Sequence, residues 1–230
     1  VDTKAILKDR NLFSARGAGI IGLSTFGRDH TYVLDENMQI DFELLESFLN
    51  KYKDERVFVF GFTFMIWQYF YKPLLEAGKT IPLQNGVLIH SGGWKKLIDQ
   101  AVGNRTYAQS LKEQTGLTHI HNFYGMVEQV GSIFVECEQG YLHAPTFADV
   151  LVRDFFTLRP VPFGQEGVIQ VLSVLPHSYP GHSLLTEDVG VIAGEDDCLC
   201  GKKGKYFSIK GRIAQAEIRG CSDAHAFDKG

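Results

Sequence analysis

Asn122-Phe123-Tyr124-Gly125-Met126-Val127-Glu128 closes a short strand-like run and opens a turn dense in functional side chains. Tyr124 offers an aromatic face on which a flat ligand can stack, and Gly125 clears the space beside that ring. Glu128 carries carboxylate oxygens suited to a hard divalent cation. A buried tyrosine followed by a solvated glutamate would account for the same residues, so the meaning of the segment depends on what flanks it.

Upstream, residues 17–131 alternate apolar β-type runs with helical periodicity, the pattern of a mainly parallel α/β sheet flanked by helices. Asp41 is placed to cap a helix whose Phe42, Leu45, Phe48, Leu49 and Tyr52 recur on one face. Residues 56–60 and 86–89 read as strands. Thr63 opens an aromatic-rich helix that Pro73 should kink or divide and Gly78 should end. Its Phe62, Phe64, Trp67, Phe70 and Tyr71 read as core more readily than as the border of an acyl tunnel. Further helices are expected over residues 94–101 and 106–114, the second stopped by Gly116. Gly17-Ala18-Gly19-Ile20-Ile21-Gly22 has the spacing of a dinucleotide fingerprint, but its flanks predict neither the strand before nor the helix after that the fingerprint requires. It reads as a glycine-rich strand packed closely on a neighbour. In Ser91-Gly92-Gly93-Trp94 the glycines would let a planar ligand approach the backbone at a strand end, although a tight strand-to-helix turn alone explains them better.

Downstream of Gly131 the helical period disappears, and residues 132–137, 150–152, 167–175 and 189–192 read as short strands of a smaller, barrel-like β-rich subdomain. The organisation expected is residues 1–131, residues 132–213 and a C-terminal tail over residues 214–230. Lys and Arg number 23 against 27 Asp and Glu, a formal charge of −4 without a basic block, which argues against a nucleic-acid partner. The longest apolar run, residues 57–70, is broken by Gly61, Thr63 and Gln68 and falls short of the ~20 residues of a membrane span. The first ten residues mix both charge signs, unlike a secretory signal, and the four cysteines fit reduced thiols in a cytoplasmic protein.

Three downstream pieces complete the pattern: Gly164-Gln165-Glu166-Gly167, Leu185-Thr186-Glu187-Asp188-Val189-Gly190 and Lys210-Gly211-Arg212. In this order after Tyr124 to Glu128 they resemble the adenylate-forming superfamily of acyl and aryl ligases. Ser91-Gly92-Gly93-Trp94-Lys95-Lys96 and Arg219-Gly220-Cys221-Ser222 look most like LuxE-type acyl-protein synthetases, with phenylacetate-CoA ligases more distant. The resemblance implies ATP-dependent activation of a fatty or other carboxylic acid as acyl-AMP, followed by transfer to a thiol. It also implies that residues 1–131 bind the adenylate. Tyr124 would stack on adenine with Gly92, Gly93 and Gly125 beside it, and Asp188 would bind the ribose hydroxyls. Glu128 would hold Mg2+, and Arg212 would contact the nucleotide. Cys221 matches the acyl-accepting cysteine, from which the acyl group passes to a partner acyl-CoA or fatty acid reductase.

The other cysteines invite a separate reading. Cys137 and His143 on one expected hairpin, with Cys198 and Cys200 in a knuckle-like loop, would make a closed tetrahedral Zn2+ site, or else remain buried thiols. His121, His177 and His182 read as structural or loop residues. Two departures from the family pattern stand out: no phosphate-binding loop precedes residue 58, and Val127 stands where relatives usually have Thr. The chain is therefore expected to be the C-terminal part of a longer enzyme. The alternatives are an acyl-CoA or aryl-CoA ligase of the phenylacetate-CoA ligase type, and a non-catalytic zinc-stabilised binding module.

Overall fold

The computed structural model describes residues 1–7, 15–94 and 99–213. The chain divides into two compact units within one strand, the first ending at Ile120 and the second beginning at His121, so residue 131 falls inside the second unit. The architecture is α/β, with nine strands among the described residues, both parallel and antiparallel pairings, and flanking helices.

In the first unit the order is α1 (Ala15–Ser24), α2 (Phe42–Lys51), β1 (Val57–Phe62), α3 (Thr63–Ile66), a π-helical turn (Trp67–Tyr71), α4 (Lys72–Glu76), β2 (Gly86–Ser91) and α5 (Asn104–Thr115). β1 and β2 pair in parallel from Val57↔Gly86 to Phe62↔Ser91. Asp41 caps α2 as the sequence predicts, its Oδ1 accepting from the Leu44 amide at 2.9 Å, and Leu45 and Leu49 turn into the core. Gly116 ends α5 in the left-handed conformation. Pro73 divides its helix as expected. Proline has no N–H to return to residue 69, and the chain answers with a wider turn in which the Lys72 amide bonds to the Trp67 carbonyl.

One expectation fails here. The segment 17–22 is not a strand but lies within α1. Glycine lowers helix propensity, which masked the period; at Gly19 the helix meets the Phe60 ring, where a Cβ would make an ordinary contact at 3.4 Å. Of the helix expected over 94–101, residues 95–98 lie outside the described residues; Trp94 and Ala101 are irregular, and residues 99 and 100 are 3-10 helical.

The core of the first unit is aromatic. Trp67 stacks with Tyr71 and Tyr107 at 4.4 and 5.5 Å and meets Trp94 edge-on at 5.6 Å. Polar groups buried with them are paired. The Thr63 hydroxyl donates to the Ser91 carbonyl at 3.1 Å and bonds His90 Nδ1 at 2.9 Å, while Tyr107 donates to the Thr63 carbonyl at 3.3 Å. These bonds tie together the carboxyl ends of two parallel strands, directly below Gly92 and Gly93.

The second unit is a largely antiparallel sheet in the order β3 (His119–Tyr124), β4 (Phe134–Glu136), β5 (Leu142–His143), β9 (Lys205–Arg212), β8 (Ser183–Glu195), β7 (Gly167–Ser173) and β6 (Ala148–Arg153). Alternate residues bury one face: Val150 and Val152 from β6, Ile169 and Val171 from β7, Ile192 from β8 and Phe207 from β9. Phe134 meets Phe207 edge-on at 5.4 Å, a pair worth about 0.5–1.5 kcal/mol beyond its buried area. Among the described residues no helix is long and apolar enough to cross a membrane.

The cap on α2 is a direct test of this local reading. Replacing Asp41 with Ala should lower stability by about 1 kcal/mol without altering the fold, measured by urea denaturation.

Candidate functional site

β8 and β9 place Asp188 opposite Arg212 in register, and β3 ends at Tyr124 beside β4. The three side chains converge. The Tyr124 hydroxyl donates to Asp188 Oδ2 at 2.7 Å, Arg212 Nε lies 3.4 Å from Asp188 Oδ1, and Arg212 Nη2 lies 3.4 Å from Glu187 Oε2. Thr186 fixes the backbone below them: its hydroxyl donates to the Ile169 carbonyl at 2.8 Å and accepts from the Asp188 amide at 3.1 Å. One edge of the Tyr124 ring packs towards Phe134 and Phe207, leaving the residue half-buried. Burial, and then the adjacent Asp188 carboxylate, push the Tyr124 phenol well above its ordinary value, so it stays a hydrogen-bond donor at neutral pH.

Both carboxylate oxygens of Asp188 thus have protein partners, which the sequence reading did not foresee. Two oxygens offer about four lone-pair sites, so acceptor capacity remains for two hydroxyls of a sugar. Glu128 is exposed on a 3-10 turn (Val127–Gln129) that follows Gly125. Gly92, with φ +84, and Gly93 follow β2 in the first unit. His121 bonds the Glu136 carbonyl through Nδ1 at 3.0 Å, as a structural histidine does. Cys221, like Lys95, Lys96, Arg219, Gly220 and Ser222, lies outside the described residues.

The second convergence joins two hairpins. Cys137 follows β4, His143 lies in β5, and Cys198 and Cys200 occupy the β8–β9 loop. Their ligand atoms all lie within 4.8 Å of one another, with Cys137 Sγ 3.9 Å from Cys198 Sγ and Cys200 Sγ 3.4 Å from His143 Nε2. A tetrahedral zinc with Zn–S near ~2.3 Å and Zn–N near ~2.0 Å sets ligand separations of about 3.5–3.8 Å, so the donors fit that ion. The three thiols are free of disulfides. Burial pushes the Cys198 thiol up to about 11. At Cys200, burial acts the same way but is outweighed by the Lys202 amide and the neighbouring thiols, so its value falls. Burial, then the Lys202 charge, lowers His143, which keeps the imidazole in its neutral, metal-ligating form.

Sequence reasoning missed two participants. Glu187 was quoted within its motif but given no role, yet it pairs with Arg212. Gln129 is almost fully buried, and a three-residue 3-10 turn has no period from which burial could be read. A cavity of about 370 Å3 opens in the first unit between α1, α2 and β1, lined by Ile20, Phe48, Leu49 and Phe60 among others. Among the described residues, none of those assigned to the nucleotide or zinc sites lines it, whereas Phe70 of the aromatic stripe does.

The fold is that of adenylate-forming ligases. The chain aligns with an open conformation of 2-hydroxyisobutyryl-CoA ligase in complex with 2-HIB-AMP and CoA (TM-score 0.64, 17% identity, 88% of this chain and 43% of that one). It also aligns with a long-chain-fatty-acid-CoA ligase from Archaeoglobus fulgidus (TM-score 0.55, 16% identity, 86% and 41%). The acyl-protein synthetase (LuxE) family matches residues 10–227, and the chain belongs to it. Two curated relatives are long-chain-fatty-acid–luciferin-component ligases. The one from Vibrio harveyi is 28% identical over 59% of this chain, and the one from Aliivibrio fischeri is 25% identical over 68%. The matches span 35% and 42% of the relatives' own lengths.

The Tyr124–Asp188 bond generates a titration test. A tyrosine whose folded pKa is raised contributes stability that is complete below the unfolded value near ~10 and is lost as pH rises towards the folded value. Tyr124→Phe should cost about 1.5–3 kcal/mol at pH 7, measured by denaturation. It should also remove one late-ionising phenol from the alkaline absorbance titration of the folded chain.

Proposed function

We propose that this chain is the nucleotide-binding portion of an ATP-dependent ligase that activates a long-chain fatty acid as its acyl adenylate and passes the acyl group to a cysteine. The observation that carries this reading is the hydrogen-bonded set Tyr124–Asp188–Arg212, three residues remote in sequence that converge on one face of the second unit. In the first half-reaction a substrate carboxylate oxygen attacks the α-phosphorus of ATP, forming a mixed anhydride while pyrophosphate leaves. In the second, a thiolate attacks the acyl carbon, AMP leaves and a thioester forms.

The residues divide this work by chemical type. Tyr124, tethered through its hydroxyl, presents a ring of fixed tilt for adenine, with Gly125 as the small residue beside it. Asp188 takes the ribose hydroxyls on its remaining lone pairs. Arg212, 3.4 Å from Asp188, contacts the nucleotide from the same side. Glu128 is the carboxylate that would hold Mg2+, which when bound neutralises phosphate charge against the approaching carboxylate. Cys221 is the acceptor the family pattern assigns, and a reductase that consumes the thioester is the partner this chemistry calls for.

Cys137, His143, Cys198 and Cys200 are proposed as a structural Zn2+ site. The support is that four donors from two hairpins arrive at tetrahedral spacing with no position left open for a water or substrate. Free thiols at this spacing also fit a reducing, cytoplasmic compartment.

Labelled fatty acid with ATP tests the ligase reading. Label should remain on the protein, be released by hydroxylamine and be absent in Cys221→Ser. Asp188→Ala should lower fatty-acid-dependent pyrophosphate exchange about 100-fold, as expected when a hydrogen-bonded, partly buried charged group is lost (about 2–5 kcal/mol). Labelled CoA product would assign the acceptor to coenzyme A instead, and absence of any exchange would overturn the ligase reading. Metal analysis of the dialysed chain should give one zinc per molecule. A folded chain without it would remove the zinc assignment.

A further inference from the structure

The 3-10 turn that carries Glu128 has little to hold it by itself. It is three residues long, Gly125 precedes it and Gly131 follows with φ +91, and Val127, Glu128 and Val130 are all exposed. Gln129 alone in the turn is buried, at 1% exposure. Its Nε2 donates to the Gly181 carbonyl at 2.9 Å, with the Val171 carbonyl at 3.5 Å. The amide orientation is determined by chemistry, because the opposite one would set the side-chain oxygen against two carbonyl oxygens. In this orientation Oε1 is buried without a partner among the described residues. A buried acceptor left unmatched is costly, so what favours an amide here is its donor.

The Gly181 segment also presses on the turn at Glu128. A Cβ at Gly181 would lie 2.6 Å from the Glu128 carbonyl oxygen, so only a glycine backbone comes this close. A second buried contact closes the far end: the Ser132 and Ser173 hydroxyls bond at 2.7 Å, and the Ser173 amide bonds the His182 carbonyl at 3.0 Å. The turn is thereby fastened to the end of β7 and to the loop over residues 174–182, while the Glu128 side chain stays in solvent.

We infer that Gln129 is a positioning residue: by holding the turn against Gly181 it sets where the Glu128 carboxylate stands, and so sets the cation requirement of the reaction. The inference rests on the reading of Glu128 as the cation-holding carboxylate. It assigns to Gln129 no contact with substrate.

Two variants test it from opposite sides in the full chain. Gln129→Met keeps the length of the side chain and removes the donor; Gly181→Ala keeps Gln129 and crowds the Glu128 carbonyl. In chains whose circular dichroism matches the parent, both should raise the Mg2+ concentration for half-maximal fatty-acid-dependent pyrophosphate exchange about tenfold. The KM for ATP at saturating Mg2+ should stay within twofold of the parent. Amide hydrogen exchange of Gln129→Met should rise in residues 174–182 as well as in residues 127–132. Folded variants with an unchanged Mg2+ requirement overturn the inference, as does exchange that rises only in residues 127–132. A parent chain without pyrophosphate exchange at any Mg2+ concentration removes the ligase reading, and with it the cation role of Glu128 on which the positioning role of Gln129 rests. The failure of the inference alone looks different, because the parent then exchanges normally.

Discussion

The carboxylate of Asp188 sits between a phenol and a guanidinium, and much of the second unit is arranged to keep it there. Its oxygens face the Tyr124 hydroxyl and Arg212 Nε, and its backbone amide is held by the Thr186 hydroxyl. A carboxylate so placed is held in orientation from two sides, by a donated hydrogen bond and by a guanidinium. The arrangement requires three strands to stand in register. β9 must pair with β8 so that Arg212 falls opposite Asp188, and β3 must deliver Tyr124 to the same face. The aromatic contacts of Tyr124 with Phe134 and Phe207 make that delivery part of the hydrophobic core.

The same β8–β9 ribbon carries Cys198 and Cys200 in the loop at its other end. That loop is shaped by its own polar contacts: the Gly204 amide donates to Asp196 Oδ1 at 2.7 Å and the Lys203 ammonium to the Asp196 carbonyl at 2.8 Å. Cys137 and His143 come from the β4–β5 hairpin, which joins the ribbon through the pairs Leu142↔Phe207 and His143↔Tyr206. A metal at the four donors would clip two hairpins whose loops are far apart in sequence, which is where a cross-link removes most freedom from the unfolded chain. The two sites thus share one pair of strands while differing in kind. One is a partly exposed charge set with acceptor capacity to spare, the other a closed cluster of thiols and an imidazole.

How much of this was legible in the sequence depended on the range of the interactions involved. The cap at Asp41, the stop at Gly116 and the break at Pro73 are local effects of one residue on a few neighbours, and each stands where the residue types put it. The segment over 17–22 was misread because its three glycines weaken helix propensity, yet the segment lies within α1, against the Phe60 ring. The four zinc-type donors were legible as residues, but C-x-C spacing and a distant Cys–His pair state no distance. Gln129 left no signal at all, since burial in a 3-10 turn follows from the Gly181 loop that folds against it.

The sequence by itself determined the class of fold, the alternation that builds it, and the ordered motifs that mark an acyl-protein synthetase, because each of these is a matter of residue type and local spacing. Only the tertiary structure decided that Tyr124 is tethered to Asp188, that Arg212 bridges Asp188 and Glu187, that Cys137, His143, Cys198 and Cys200 share one small volume, and that the turn of Glu128 hangs on Gln129. The reason is physical. Strand register converts separations of tens of residues into contacts of a few ångströms, and register is set by the packing of whole faces against the core rather than by any one stretch of chain.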